Sequence, residues 1–243
     1  RDQPRSRGLG DVYKRQELNG YEVDFIDPNK SGQISIEEVL EKLREDTLLV
    51  SIMHVNNETG VIQPVLELGE EIQKRGILFH IDATQSCGKL VEEIRNLKYD
   101  MLSFSAHKLM GPQGVGALIL KRKLYKRPPI KGIMYGGQQE QGIRPGTIPV
   151  ALVVGCGKAC EIAEHEYKEN ERHSLQIKEA ILFVLEESGL KYQINGNQDV
   201  CVSSTLNIAI DGVSSEALMI SSKQYCGCLL YTSDAADEED SVD

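Results

Sequence analysis

Three apolar runs in this chain end in side chains that could do chemistry. One closes on His54, Asn56 and Asn57, the next on Asp82, Thr84 and Gln85, the third on Ser105, His107 and Lys108. Taken singly, such residues serve as loop groups that cap helices or bond backbone. Together they supply an acid, amides, imidazoles and an amine. An amine facing a carboxylate is the pair that pyridoxal phosphate chemistry needs. The amine forms a Schiff base with the aldehyde, and the carboxylate keeps the pyridine nitrogen protonated, so the ring can draw electrons from the α-carbon of an amino acid. Asp82 and Lys108 could equally make an ordinary salt bridge, so the elements that carry them matter.

Those elements alternate. "YEVDFID" (21–27) reads as a short strand, and "SIEEVLEKLRED" (35–46) opens with Ser35 and Glu38 spaced as a capping box before a helical period. "LLVSIMHV" (48–55) is a continuous apolar run of the buried parallel-strand type. A helix starts at Pro64 and is stopped by Gly76. Further strands are expected at "ILFHIDAT" (77–84), "YDMLSFSA" (99–106) and "VGALILKR" (115–122). A long helical stretch runs from Pro149 to about Glu187, followed by a strand in "TLNIAID" (205–211) and a helix near Ser214. Strands alternating with helices predict an α/β fold, a large domain with a mostly parallel sheet flanked by helices and then the start of a smaller α/β domain. In such open sheets ligands sit at the carboxyl ends of the strands, where these polar groups cluster.

The composition narrows the function classes. The 243 residues are 40% hydrophobic, enough for a real core, and no apolar run approaches the roughly 18 residues that span a bilayer. The N-terminus lacks a signal-peptide apolar region, so the expected location is cytoplasmic, with no membrane partner. Six cysteines (Cys87, Cys156, Cys160, Cys201, Cys226, Cys228) are then expected as free thiols. The net charge is −10, of which residues 1–16 contribute +3 and residues 227–243 contribute −6, leaving −7 on the body. That balance disfavours nucleic acid and suits a small-molecule enzyme. Both ends, "RDQPRSRGLGDVYKRQ" and "CLLYTSDAADEEDSVD", lack any hydrophobic period and resemble translated adapter sequence. The expected division is therefore 1–16 foreign, 17–150 a partial large domain, 151–226 the start of a small domain, and 227–243 foreign.

Other patterns are read as structural. "DPNKSGQISIEE" (27–38) fits a calcium-loop template through Asp27, Asn29, Ser31, Gly32 and Glu38, but the strand-like "YEVDFI" before it makes a strand-to-helix turn the better reading. Cys156 and Cys160 stand one helical turn apart with no matching ligand pair, so they read as core and no metal is expected.

Four motifs in order, "HVNNETG", "HIDATQSCGK", "SFSAHKLMGPQGVGAL" and "GIRPGTIP", resemble the cysteine desulfurases, fold type I pyridoxal-phosphate enzymes of the class V aminotransferase group, over about residues 17–226. The resemblance implies a seven-stranded-type sheet, here incomplete. It implies that Lys108 is the Schiff-base lysine, with the glycines after it letting the chain turn tightly beside the cofactor. By the same resemblance Asp82 pairs with the pyridinium nitrogen, Ala83 packs on the ring face, and Gln85 donates to the phenolic oxygen. Ser105 and His107 bind the phosphate, Thr147 reaches the phosphate of the neighbouring subunit of a homodimer, and Asn57 sits between the cofactor oxygen and the substrate carboxylate. The implied reaction removes sulfur from L-cysteine, leaving alanine and an enzyme persulfide for iron–sulfur cluster assembly or thio-modification, delivered to a sulfur-acceptor or scaffold protein.

Three family features are not found here: a histidine that stacks on the ring, a mobile-loop cysteine nucleophile, and a late arginine for the substrate carboxylate. Neither Cys226 nor Cys228 stands in the family's loop motif, so this stretch alone is expected to hold cofactor without turnover. Competing readings are a selenocysteine lyase or another class V enzyme, and, from a different class, a non-catalytic sulfur-relay scaffold.

Overall fold

The computed structural model describes residues 19–215, 218 and 220–222. Calls on Cys226, Cys228 and the two terminal stretches 1–16 and 227–243 lie outside them. Contacts divide the chain into two compact units, one comprising Pro28–Gly189 with Ile194–Ile208, the other Leu190–Gln193 with the described residues before Pro28 and after Ile208.

The first unit is built on a four-stranded sheet, β1 (Leu49–Met53), β2 (Leu78–Asp82), β3 (Met101–Ser105) and β4 (Gly116–Leu120), lying side by side in that order. The first three run parallel and β4 returns antiparallel to β3. α1 (Ile36–Lys42) precedes β1, and each of the two parallel crossovers carries a helix, α2 (Val65–Arg75) joining β1 to β2 and α3 (Val91–Asn96) joining β2 to β3. The chain is thus α/β with a mostly parallel, helix-flanked sheet, four strands of it among the described residues.

The apolar spacing of α2 explains its seat. Val65, Leu68 and Ile72 recur at helical period and are completely buried, as are Ile81 of β2 and, nearly, Phe79 and Leu102. Each such side chain taken from water contributes about 1.5–3 kcal/mol. Pro64 precedes the first turn, and Gly76 ends the helix in the left-handed region at φ 71°. The long helix α4 (Val150–Glu187) follows Pro149 as one continuous element. Arg95 and Glu92 of α3 reach Glu164 and Tyr167 of α4, the latter through a 2.7 Å bond from the tyrosine hydroxyl to Glu92. Two short strands, β5 (Tyr192–Ile194) and β6 (Ile208–Ile210), pair in a separate small sheet. Residues 215, 218 and 220–222 are helical.

Two expectations need correction. "YEVDFID" takes no strand conformation among the described residues, since alternation alone does not supply the inter-strand ladder that makes a strand. The helix expected over 35–46 stops at Lys42, where Leu43 turns extended. Arg44 N–H then bonds the Thr47 hydroxyl at 2.8 Å, closing a turn that competes with the helix. Its start is as expected, since Ser35 Oγ accepts from Glu38 N–H. The 27–38 segment is a turn in which the Asn29 carboxamide accepts from Ser31 N–H at 2.8 Å. No helix among the described residues is long and apolar enough to cross a membrane.

Candidate active site

Parallel pairing sets which side chains share a face. Met53 is the register partner of Asp82, and Asp82 that of Ser103. With alternation of two, Ser51, Met53, His80, Asp82, Ser103 and Ser105 stand on one face, while Phe79, Ile81 and Leu102 point to the helix-covered core. Asp82 and Ser105 each end a strand, so both lie at the carboxyl rim.

After β2 the chain turns at once. Asp82 Oδ1 accepts from Thr84 N–H at 2.9 Å, and Ala83 N–H donates to Ser103 carbonyl at 2.8 Å. Ala83 is fully buried and Gln85 half-buried. After β3, Ala106–Leu109 forms one 3₁₀ turn carrying His107 and Lys108, both half-buried. Ser105 Oγ and His107 Nδ1 share a 2.7 Å hydrogen bond, which locks the two polar groups together. The left-handed residue that ends this turn is Met110 (φ 61°) rather than a glycine. Gly111 is required for a different reason, since a Cβ there would lie 2.9 Å from the Ala106 carbonyl and 3.1 Å from the Ala159 methyl of α4. The tight turn beside Lys108 is therefore enforced by packing under it.

The loop after β1 is held from two sides. Asn56 Oδ1 accepts from Glu58 and Thr59 N–H groups at 2.9 and 2.8 Å. Val202 N–H donates to Gly60 carbonyl at 2.9 Å, and the Cys201 thiol donates to Thr59 carbonyl at 3.2 Å. This leaves Asn57 exposed, its amide donating to Glu58 at 2.8 Å.

Thus Asn57, Asp82, Ala83, Gln85, Ser105, His107 and Lys108 all occupy the segments that leave the carboxyl ends of β1, β2 and β3. Thr147 does not join them by any bond recorded within the described chain; it is exposed in the segment leading into α4. His54, counted among the rim groups by sequence, is instead completely buried, with Nε2 3.0 Å from Glu93 of α3. Period-two counting carries the signal, because residue 54 falls in step with Val50 and Ile52 on the core side.

Sequence reasoning passed over two further groups. Lys89 is half-buried, and burial together with the nearby charge of Lys108 pulls its ammonium below the ordinary lysine range. His80, two residues before Asp82, bridges Ser51 and Ser103 across three strands. The thiols point away from nucleophilic use: burial pushes Cys87 up to about 12, and raises Cys160 and Cys201 too. Cys87, Cys156, Cys160 and Cys201 are all free.

The chain as a whole is similar to known proteins. The family model described as aminotransferase class-V matches residues 12–230. The chain belongs to the class-V aminotransferase family. Among class-V relatives, the cysteine desulfurase IscS of Vibrio vulnificus (strain YJ016) is 40% identical over 213 residues, covering 88% of this chain and 52% of the relative. That of Pasteurella multocida (strain Pm70) is 41% identical over 210 residues, covering 86% and 51%. The chain spans about half the length of the relatives it matches. Among solved structures, DndA from Streptomyces lividans superposes with a TM-score of 0.82 at 40% identity, covering 90% of this chain and 62% of that one. A NifS-like protein superposes with a TM-score of 0.83 at 31% identity, covering 91% and 60%.

Proposed function

We propose that this chain carries the lysine-bearing half of a pyridoxal-phosphate-dependent cysteine desulfurase, the whole protein taking sulfur from L-cysteine and leaving alanine. The single observation that carries the reading is the rim itself: Asp82 and Ser105 end adjacent parallel strands on one face, and the turn holding Lys108 begins at the next residue.

The donor set fits the cofactor. Asp82 spends Oδ1 on Thr84 N–H, and Oδ2 remains to accept from a protonated ring nitrogen. Ala83, next to Asp82 and completely buried in the chain alone, is assigned to the ring's face. Ser105 and His107, already bonded to each other, present a hydroxyl and an imidazole to a phosphate. When bound, pyridoxal phosphate supplies an aldehyde and a cationic ring that accepts electrons. Lys108 offers the amine for that aldehyde and, once released, a base or acid for the substrate's α-proton. Gln85, half-buried, is assigned to the ring's phenolic oxygen, and Asn57 would leave Glu58 to meet the substrate carboxylate. The exposed Thr147 is assigned to the phosphate of a partner subunit in a homodimer. Sulfur leaves on a thiol other than Cys87, Cys160 and Cys201, which are all biased toward the protonated form, and other than Cys156, which is buried in the core. Its destination is an acceptor protein of iron–sulfur cluster or thio-modification chemistry, in a cytoplasmic setting.

The reading is tested by adding pyridoxal phosphate to the chain and following near-visible absorbance. A new band that is lost in Lys108→Ala is expected; identical spectra for the two chains contradict it.

A further inference from the structure

On β2, His80 stands two residues before Asp82 and on the same face. Its Nδ1 is 2.8 Å from Ser51 Oγ on β1, and its Nε2 is 3.1 Å from Ser103 Oγ on β3. Ser51 is the register partner of His80, and Ser103 that of Asp82, so the row crosses three strands and steps two residues toward the Asp82 rim on β3. A hydroxyl can donate or accept, so both ring nitrogens are satisfied when the imidazole is neutral, one giving and one taking. Protonation would leave two N–H donors and require both serines to accept. The other side chains on this face nearby, Leu49, Met53, Leu78 and Met101, carry no charge. Burial holds His80 below the ordinary histidine range, and the one charge that opposes this shift is the Asp82 carboxylate.

We propose that His80 is a positioning residue: the Ser51–His80–Ser103 row keeps a neutral ring behind Asp82, leaving that carboxylate's charge undivided for a cationic ring nitrogen. This rests on the reading of Asp82 given above. Protonating His80 places a second cation about 7 Å along the strand from Asp82. That cation competes for the same carboxylate and loosens its hold on the cofactor.

Two non-titrating variants each keep half of the row, His80→Asn toward Ser51 and His80→Gln toward Ser103. Pyridoxal phosphate affinity is measured by absorbance titration from about pH 7.5 to about pH 5.5, either side of the ordinary histidine value. On acidification the wild-type chain is expected to lose roughly 3- to 10-fold more affinity than either variant. Equal losses in wild type and both variants overturn the proposal.

A second measurement needs neither cofactor nor His80 variant: an imidazole NMR titration of the wild-type chain and of Asp82→Asn. The His80 midpoint is expected below the ordinary value, and lower again in Asp82→Asn once the opposing charge is removed. An unmoved midpoint overturns the proposal whatever the cofactor does. A moved midpoint in a chain that binds no pyridoxal phosphate instead contradicts the cofactor reading, and the positioning role with it.

Discussion

At the scale of single residues, chemistry follows from which face a side chain occupies. Asp82 and His80 share one face of β2, while Ile81 between them is completely buried on the other. Cys87 follows the Asp82 turn by only five positions, yet burial and the neighbouring Cys160 and Cys156 thiols push it up to about 12. A thiol raised that far carries almost no thiolate at neutral pH, and the thiolate is the form that attacks. Iodoacetamide at neutral pH should therefore leave Cys87 unmodified in the folded chain and alkylate it after denaturation, as read by peptide mass. Rapid native labelling of Cys87 contradicts this placement. The placement of Asp82, Ser105 and Lys108 at or just after strand ends is legible in the sequence, because apolar runs end there. The seat of His54 is not legible from its polarity; its parity with Val50 and Ile52 is what carries it to the core side. The His80 row was missed because Ser51, His80 and Ser103 lie far apart in sequence, and only strand register brings them together.

At the scale of elements, close approach matters more than local propensity. Gly60 and Gly76 have similar left-handed backbones, φ 75° and 71°, and opposite surroundings. A Cβ at Gly60 would sit 2.6 Å from Thr205 Cβ and 2.9 Å from Cys201 Sγ, whereas one at Gly76 meets nothing within 4 Å. Gly76→Ala should cost only the left-handed penalty, about 1 kcal/mol. Gly60→Ala should cost that plus the clash, about 3 kcal/mol or more, and should loosen the loop that presents Asn57. Urea unfolding of both variants checks this, and equal costs contradict the packing of the 56–60 loop on residues 201–205. The Pro64 and Gly76 boundaries were readable from sequence because each sets its own backbone. The end of α1 was not, because the Arg44–Thr47 turn depends on one hydroxyl finding one N–H. The strand expected at 21–27 does not form, because alternation alone does not supply the inter-strand ladder a strand needs.

At the scale of the whole molecule, apolar surface remains uncovered. Parallel sheets are ordinarily buried on both faces. Here Leu49, Met53 and Leu118, on the face of Asp82, are all more than a third exposed. The segment between β4 and α4 adds Leu124, Tyr125 and Tyr135, each exposed above 90%. Patches of this kind mark surfaces that associate. Sedimentation should show copies of the chain associating with rising concentration, and Tyr125→Lys with Tyr135→Lys should shift that equilibrium toward monomer. A monomer at all concentrations contradicts the proposed use of Thr147 by a partner subunit.

The central claim is that one amine, Lys108, meets a cofactor held at the Asp82 rim. It is tested most directly by reducing the mixture of chain and pyridoxal phosphate with borohydride and mapping the modified peptide. The account predicts a single stoichiometric adduct on Lys108, sharply diminished in Asp82→Ala. An adduct on Lys89, or spread evenly over surface lysines, contradicts it.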